Sequence, residues 1–491
     1  MKRSIVVGLV LGACGLVSMI QCGGGDDDDE PTCATDDPTS CGPGKLCKQA
    51  QGASPACVPG CLRDNAATCE TGQFCEEVEG AEPLCFAPVT VKGKVLDAIK
   101  LEAIAGARVT ARDEDGVVTS SVATSGVDGS YEIALSARRR ADGSPVPTLY
   151  TLRGDAKAFA TFPGGIRPAL PFDVSKAVPP ADPKGSYVFE DATTTIGLLP
   201  LPEPAGLGTV RGTVRGDRPG GTLVTVGAAS GVAGVDGEFV VFNAPAGAAQ
   251  VRGFRGGVQL SAPDVDVPAD GEVAGVLLEP RTDIPLATLR GNVSFANAEG
   301  ATGTSVVLVT ETSFNEALET GEVPPGLRVE NVSAAFSMAG VPDGAYVVLA
   351  SLDNDGLVRD PDPNIAGTQI VRLTVTNGVP SVSDFSFKVT EALEVRSPGA
   401  ATPELVAPPV TAIWVDDSSE EKYELKIFDA FGNPVWDQLD VPLVNGGDEV
   451  RVPYAGPTLQ PGMVYQFRAT SFRRNGPISR TEELRGVFSV Q

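Results

Sequence analysis

All ten cysteines of this 491-residue chain lie before residue 86, and eight of them form a tandem repeat. Both sets of four are spaced by seven, five and nine intervening residues, and the second set follows the first by 28 positions: Cys33, Cys41, Cys47 and Cys57, then Cys61, Cys69, Cys75 and Cys85. So short a segment buries too little apolar surface to fold alone, so the repeat predicts two small modules stabilised by internal disulfides. Four cysteines allow three pairings in each module, and the spacing does not choose among them. Disulfides persist in oxidising compartments, which predicts that the protein is exported.

The N-terminal segment is organised like an export signal, with Lys2 and Arg3 followed by an apolar run over residues 5–20. It resembles a bacterial lipoprotein signal, in which the cysteine after the cleavage site is acylated. We predict acylation at Cys22, which opens onto a Gly- and Asp-rich tether; Cys14 is the alternative, and an ordinary cleaved signal is the third interpretation. Two or more acyl chains anchor a protein stably. Because glycine rather than aspartate follows each cysteine, the resemblance implies a lipid anchor at the outer membrane or cell surface.

The charge balance and the absence of histidine limit the function. Acidic residues outnumber basic ones by 63 to 38, for a net charge of −25, which argues against nucleic acid as a partner. With no histidine in the chain, Ser-His-Asp and Cys-His catalysis are excluded, and the commonest catalytic metal ligand is missing. We therefore expect that the protein is not an enzyme. The catalytic alternative left open is a carboxylate-dependent polysaccharide hydrolase.

A second repeat follows the cysteines. Three segments open with an apolar-basic-Gly-x-Val motif centred on Gly93, Gly212 and Gly291. In the first two, an Asp-Gly turn leads into a strand whose aromatic residue, Tyr131 or Phe239, is expected to point inward; in the third the turn is rewritten. The segments resemble carboxypeptidase regulatory-like domains, which are transthyretin-like β-sandwiches. The resemblance implies accessory domains that pack, space or bind and carry no chemistry.

The last segment has a different pattern. Trp414 and Tyr423 lie in short alternating runs, and Leu-x-Pro-Gly-x-x-Tyr ends at Tyr465. This segment resembles a fibronectin type III domain. The resemblance implies that Trp414 is buried and that the hydroxyl of Tyr465 returns to the backbone. We expect Tyr423 in the core.

Short valine-rich runs and a Gly and Pro content of about a fifth predict an all-β fold of tandem β-sandwiches behind a disulfide-rich region. Three sandwiches are predicted to be carboxypeptidase regulatory-like and one fibronectin type III-like. The predicted segments are 1–22, signal peptide; 23–32, tether; 33–60 and 61–87, cysteine-rich modules; 88–201, 205–280 and 285–390, three sandwiches; and 395–491, the fibronectin-like domain. We expect these segments to form a rod that extends from the membrane.

One segment concentrates oxygen ligands of the kind that Ca²⁺ prefers: Asp353, Asn354, Asp355, Asp360 and Asp362. An EF-hand-like loop would carry an acid at its twelfth position, where this chain has Asn364. The segment is therefore either a calcium site, with Ca²⁺ as the only predicted cofactor, or an Asx-rich turn.

We predict a membrane-anchored cell-surface lipoprotein that acts as a non-catalytic binding, adhesion or scaffold protein. A structural component of cell-envelope assembly is the alternative, beside the hydrolase. The predicted partners are a glycan or a cell-envelope protein, and the membrane through the N-terminal lipid. The cysteine modules serve either as a rigid spacer or as a recognition head. Part of residues 138–185 is expected to be a surface insertion, and Arg138, Arg139 and Arg140 to form a solvated loop, with contact to an acidic glycan or phosphate as the alternative.

Overall fold

A computed structural model describes residues 33–491 apart from these gaps: 38, 50–53, 64, 183–184, 297–303, 352–369, 383, 391, 418–419, 445–448, 475 and 482–483. The described chain is built from β-strands, which confirms the all-β prediction. Its helical elements are single turns of 3-10 helix at Ala66–Thr68, Val174–Lys176, Ala192–Thr194 and Glu311–Ser313. Within these residues, no helix has the length and apolar character needed to cross a membrane.

Each cysteine module is a two-stranded hairpin whose strands are each joined by a disulfide to the segment that precedes the hairpin. The strands are β1 (Lys45–Lys48) and β2 (Ala56–Pro59), then β3 (Phe74–Glu76) and β4 (Leu84–Phe86). Both modules join the first cysteine to the third and the second to the fourth: Cys33–Cys47, Cys41–Cys57, Cys61–Cys75 and Cys69–Cys85. The structure thus contains the predicted internal disulfides and selects one of the three pairings left open. Gly44 and Gly72 turn the chain between half-cystines at φ of 77° and 86°, a conformation that glycine adopts without steric cost.

The second cysteine module is fixed to the first sandwich by a buried ion pair. Arg139 and Glu76 contact each other with side chains only 1% and 0% exposed. The amide of Ala137 also donates to Glu76 Oε1 at 2.9 Å. The Arg139 guanidinium lies over the rings of Phe86 and Tyr187, 5.3 and 5.6 Å from their centroids. A buried charge is stable only when it is paired and hydrogen-bonded, and this one has both kinds of partner.

The expectation of a solvated arginine loop is therefore wrong for Arg139. Arg139 is buried, Arg138 lies 3.6 Å from a carboxylate oxygen of Glu77, and Arg140 donates to the carbonyl of Pro145 at 3.0 Å. Arg139 joins a cysteine module to a sandwich, whereas Arg138 remains solvated, with 59% of its side chain exposed.

The first sandwich has nine strands: β5 (Val89–Asp97), β6 (Arg108–Arg112), β7 (Ala123–Thr124), β8 (Ser130–Leu135), β9 (Leu149–Asp155), β10 (Phe159–Ala160), β11 (Phe172–Asp173), β12 (Val188–Phe189) and β13 (Thr195–Pro200). One sheet contains β5, β8, β10, β12 and β13, and the other contains β6, β7, β9 and β11. Strand β9 pairs with β6, and Leu152 on it is only 2% exposed. This strand belongs to the core, although it lies in the region expected to be partly a surface insertion.

The second and third sandwiches repeat this plan. Their strands are β14 (Gly208–Val214), β15 (Leu223–Val226), β16 (Ala229–Val232), β17 (Glu238–Ala244), β18 (Gly247–Phe254), β19 (Asp264–Val267) and β20 (Glu272–Leu278), then β21 (Ala287–Ala296), β22 (Thr304–Thr310), β23 (Arg328–Val332), β24 (Ala335–Val341), β25 (Gly344–Ser351), β26 (Val371–Thr376), β27 (Val379–Pro380) and β28 (Asp384–Thr390). In each sandwich the opening strand pairs antiparallel with one partner and parallel with a late strand. These sets are β5 with β8 and β13, β14 with β17 and β20, and β21 with β24 and β28.

The register explains the glycine of the repeated motif. Gly93 lies opposite Tyr131, Gly212 opposite Phe239, and Gly291 opposite Phe336. A Cβ atom at residue 212 would lie 2.6 Å from Cζ of Phe239, which is closer than real contacts allow. The glycine therefore leaves room for the inward aromatic ring, and the two parts of the sequence motif meet across one strand pair.

The terminal domain has the strands β29 (Val395–Ser397), β30 (Glu404–Val406), β31 (Thr411–Val415), β32 (Lys422–Asp429), β33 (Pro434–Pro442), β34 (Glu449–Pro453), β35 (Val464–Arg473), β36 (Gly476–Arg480) and β37 (Val487–Val490). Strands β29, β31 and β34 form one sheet, and the other six form the second. Trp414 and Tyr423 are fully buried, with ring centroids 5.5 Å apart. The amide of Gln460 donates to the Tyr465 hydroxyl at 2.7 Å, the backbone contact expected at this corner.

The sandwiches contact one another beyond their sequence neighbours, so the expected rod is wrong. A single apolar cluster contains Ile166 and Leu199 of the first sandwich, Leu318 of the third, and Ala430 and Val487 of the terminal domain. In a rod of four domains, the first would not reach the fourth. The chain instead folds back and places its last domain against its first.

Candidate binding cleft

A cleft of about 1430 Å³ lies where the sandwiches meet. All four contribute to its walls: Arg112 and Arg167 from the first, Ser230 and Arg255 from the second, Glu322 from the third and Phe431 from the terminal domain. Pockets for drug-sized ligands have volumes of roughly 300–1,000 Å³. The cleft therefore has room for a segment of a longer molecule.

Arg153 joins three sandwiches beside the cleft. It lies on β9, is fully buried, and contacts Asp155 on the same strand through Nε–Oδ2 and Nη2–Oδ1 bonds of 2.8 and 3.1 Å. Its Nη1 donates to both carboxylate oxygens of Glu322 in the third sandwich, at 2.9 and 3.0 Å. Its Nη2 donates to Ser230 Oγ of the second sandwich at 3.2 Å, and that hydroxyl donates to Glu322 at 3.0 Å. The network fixes the mutual positions of three cleft walls.

The electrostatics of the network favour the ionised forms. Burial alone raises the pKa of Glu322, but the charges of Arg153 and Arg112 and the hydrogen bonds from Arg153 and Ser230 outweigh it, so the pKa lies below its ordinary value of 4.5. Burial lowers the pKa of Arg153, but Asp155 and Glu322 outweigh it and raise that pKa overall. Glu322 therefore stays a carboxylate and acts as an interdomain anchor.

Asn243 makes a further polar contact between the first two sandwiches. It has a φ of 59°, and its side-chain oxygen accepts from the amide of Ala158 at 2.7 Å. Its Nδ2 donates to the carbonyls of Ala156 and Phe159 at 3.0 and 2.8 Å. Asparagine tolerates the left-handed conformation better than most residues. It therefore suits the positive φ and also supplies the side-chain groups for the three hydrogen bonds.

Replacing Asn243 by alanine is expected to lower the free energy of unfolding by about 3 kcal/mol, because three interdomain hydrogen bonds are lost and alanine is strained at positive φ. Asn243→Gly removes the same bonds without that strain, so it should cost about 1 kcal/mol less. Urea unfolding followed by circular dichroism measures both variants. An Asn243→Ala midpoint equal to that of the natural chain would contradict the role assigned to this residue.

The terminal domain closes the cleft through another arginine. Arg468 on β35 donates from Nη1 and Nη2 to the carbonyls of Ala317 and Leu318, at 3.0 and 2.7 Å. Arg480 contacts Glu319 Oε1 at 2.9 Å in the same region. These polar contacts surround the apolar cluster centred on Leu318, so the domain is held by both kinds of interaction.

Three arginines on the cleft walls are not in salt bridges with any described residue. Arg112 and Arg255 are half-buried, and Arg167 is 7% exposed. Arg167 donates to the carbonyls of Gly197 and Thr161 at 3.2 and 2.7 Å, and its guanidinium lies 5.8 Å from the centroid of the Phe162 ring. The cleft therefore presents three guanidinium groups outside salt bridges, beside the lining carboxylates of Asp113, Glu114, Asp115, Glu322 and Glu330.

The sequence-predicted site residues lie elsewhere. The eight cysteines of the repeat are all in disulfides, so the two groups of cysteine sulfurs that lie close enough to hold a metal are already bonded. The lipidation sites Cys22 and Cys14 lie outside the described residues. The same is true of the calcium ligands Asp353, Asn354, Asp355, Asp360 and Asp362, so calcium binding stays a prediction.

The sequence did not identify the residues that build the cleft. Arg153 and Glu322 are 169 positions apart, and neither belongs to a motif. One signal was available: Arg153 and Asp155 are two positions apart in a predicted strand, so both point to the same face of it. Opposite charges at that spacing indicate a strand that buries an ion pair, but they do not name the third partner.

Comparisons with known proteins do not assign a family. No family model matches the chain, and no curated protein matches it. Solved structures that align include two B repeat units of the collagen-binding protein of Staphylococcus aureus, with 9% identity, 82% of this chain and 99% of that one covered, and a TM-score of 0.18. The major pilin subunit BcpA of Bacillus cereus aligns with 10% identity, 62% and 98% coverage and a TM-score of 0.17. A tetra-tandem repeat from the extending region of a large adhesion protein aligns with 13% identity, 81% and 99% coverage and a TM-score of 0.13. TM-scores this low support no argument about function, which is therefore derived from the chain's own residues.

Proposed function

We propose that this protein is an exported, lipid-anchored, non-catalytic binding and scaffold protein, and that the cleft between its sandwiches is the binding site. The cysteine repeat supports export, since two disulfide-stapled modules require an oxidising compartment. The anchor is assigned to Cys22 from the sequence alone, and its residence at the outer membrane or cell surface rests on the same signal.

The fixed shape of the cleft is the observation that carries the proposal. Four sandwiches are held around it by the buried Arg153 network, by Asn243 and by the apolar cluster at Leu318. A concave surface that is held in place before a ligand arrives loses less conformational entropy on binding. A purely structural envelope component would need no such concavity, so the cleft favours recognition over that alternative.

Glu322 does not fit the part of the catalytic acid in the hydrolase alternative. A carboxylic acid that protonates a glycosidic oxygen needs a raised pKa. Glu322, the cleft carboxylate with the most extensive contacts, has a lowered pKa instead, because its bonds to Arg153 and Ser230 outweigh the effect of burial. Its oxygens are occupied in holding two other sandwiches.

Binding of the full chain to native cell envelopes and to a glycan array tests the function. We expect saturable binding and no release of reducing ends from the bound polysaccharides. Metabolic labelling with palmitate tests the anchor, and the natural chain and Cys14→Ala should both carry the label. Cys22→Ala should lose both the label and membrane association. A chain that binds neither envelopes nor glycans, or one that turns over a polysaccharide, would overturn the proposal.

A further inference from the structure

The cleft contains hydrogen-bond donors that the protein itself leaves unused. Arg112 Nε and Arg255 Nη1 are buried and have no hydrogen-bond partner in the described part of the chain. A buried donor without an acceptor costs about 1–3 kcal/mol. Burial lowers the pKa of both arginines. It outweighs the opposing charges of Glu322, Asp155 and Asp113 on Arg112 and of Asp217 on Arg255. A ligand that supplies acceptors and negative charge would remove this cost.

Arg167 adds a third positive charge to the same walls. Both of its Nη atoms donate to neutral carbonyls, and no carboxylate of the described residues pairs with it. Burial without a counter-charge lowers the pKa of Arg167 to about 10, which leaves the group fully charged near neutral pH. The chain has 63 acidic residues for 38 basic ones, so a shortage of carboxylates does not explain the missing partner.

The acidic residues of the cleft form no described salt bridge with these three arginines, although the charges of Glu322 and Asp113 act on Arg112. Glu322 and Glu330 each pair with another arginine, at 2.9 and 3.1 Å. Asp113 accepts two backbone amides of its own turn, at 2.9 and 3.1 Å, and the following Glu114 and Asp115 are exposed. The inner walls are left with the unpaired guanidinium groups.

We propose that the cleft binds an acidic oligosaccharide through Arg112, Arg255 and Arg167, an inference that rests on the binding role proposed above. Guanidinium groups form bidentate, charge-assisted hydrogen bonds with carboxylate and sulfate groups. The arginines come from two sandwiches around a cleft of about 1430 Å³, which suits a chain carrying several charges better than a single small anion. Phe159 and Phe431 line the same cleft and offer apolar surface to sugar rings.

Calorimetric titration of the full chain with three polymers tests the inference: oligogalacturonate for carboxylates, sulfated dextran for sulfates, and neutral dextran. We expect one or both of the acidic polymers to bind, depending on whether the cleft accepts carboxylates, sulfates or both. Their affinity should fall as NaCl rises. Neutral dextran should not bind. Arg112→Gln with Arg255→Gln should weaken acidic binding at least tenfold. The matched control Arg211→Gln removes the same charge from an exposed pair with Glu272 and should change the affinity less than twofold.

Stability separates a binding role from a structural one. Arg112 and Arg255 make no side-chain hydrogen bond with the described residues, so the double variant should stay folded, with at most a small loss from removing the Arg112 charge near Glu322. If it unfolds, it does not report on binding. The single variants Arg112→Gln and Arg255→Gln decide the binding question in that case, each with an expected loss of about threefold.

The inference fails if the acidic polymers do not bind, if neutral dextran binds as well as they do, or if the double variant binds like the natural chain. Binding to envelopes that survives in the double variant would leave the proposed function standing and overturn the ligand class alone. A natural chain that binds neither envelopes nor any glycan would overturn both.

Discussion

Replacing Arg153 by methionine is expected to lower the free energy of unfolding by about 3–5 kcal/mol, because removing one partner of a buried ion pair leaves the other charge buried and uncompensated. Two carboxylates, Asp155 and Glu322, lose their arginine at once, with side chains only 5% and 20% exposed. Methionine keeps most of the volume, so the loss reports the charge rather than a cavity. Scanning calorimetry of the full chain should show a lower transition temperature for the first three sandwiches, with little change in the terminal domain.

The pH dependence of this variant has a defined sign. The pKa of Glu322 in the folded protein lies below 4.5 because its contacts to the arginines and to Ser230 outweigh burial. A depressed carboxyl pKa stabilises the fold at pH above the unfolded value and loses that contribution as pH falls through the folded value. The natural chain should therefore lose stability below about pH 4.5, and Arg153→Met should lose less, so that the two transition temperatures converge in acid.

The exposed Arg211→Met is the matched control for this experiment. It breaks a pair with Glu272 in which both side chains are 46% exposed, and such pairs contribute about 0–1 kcal/mol. Equal losses in the two variants, or a pH-independent difference for Arg153→Met, would contradict the anchor role assigned to Arg153.

The sequence predicts what depends on short-range pattern. The cysteine spacing indicated two modules, because a disulfide requires its two cysteines to lie close together. The Gly-x-Val and Asp-Gly-x-aromatic motifs predicted strands, and the structure pairs Gly93 with Tyr131 and Gly212 with Phe239. Only glycine leaves room for the facing ring. The packing therefore requires one residue type at one position, and a sequence motif can show such a requirement.

The arrangement of the sandwiches was not predictable in the same way. Arg153 and Glu322 lie in different sandwiches, and each could equally occupy a solvated surface. Leu318 is only one apolar residue in a loop until Ile166 and Ala430 cover it. Such contacts depend on the relative orientation of the domains. A local pattern of apolar and polar residues does not predict that orientation. The expected rod failed for this reason, and the cleft was missed with it.

The disulfide Cys61–Cys75 is expected to stabilise the first sandwich as well as its own module. The bridge closes a 14-residue separation and contributes about 3 kcal/mol to a hairpin with little core of its own. Strand β3 carries Glu76 directly after Cys75, and Glu76 is the buried partner of Arg139. In Cys61→Ser with Cys75→Ser, β3 loses its covalent link to the segment at Cys61, so the module should loosen and withdraw that carboxylate. Arg139 would then be buried without a counter-charge, which costs about 3–5 kcal/mol.

The first module provides a matched control, because Cys33–Cys47 also spans 14 residues and closes the same kind of hairpin. Cys33→Ser with Cys47→Ser should open the first module and leave Glu76 in place, so the first sandwich should keep its stability. Hydrogen exchange of β5 and β8 distinguishes the two variants: protection should fall only when the second module is opened. Equal protection in both would show that Glu76 does not transmit stability from the module to the sandwich. The expected difference assigns distinct roles to two modules of identical spacing, since only the second places a carboxylate where the sandwich buries an arginine.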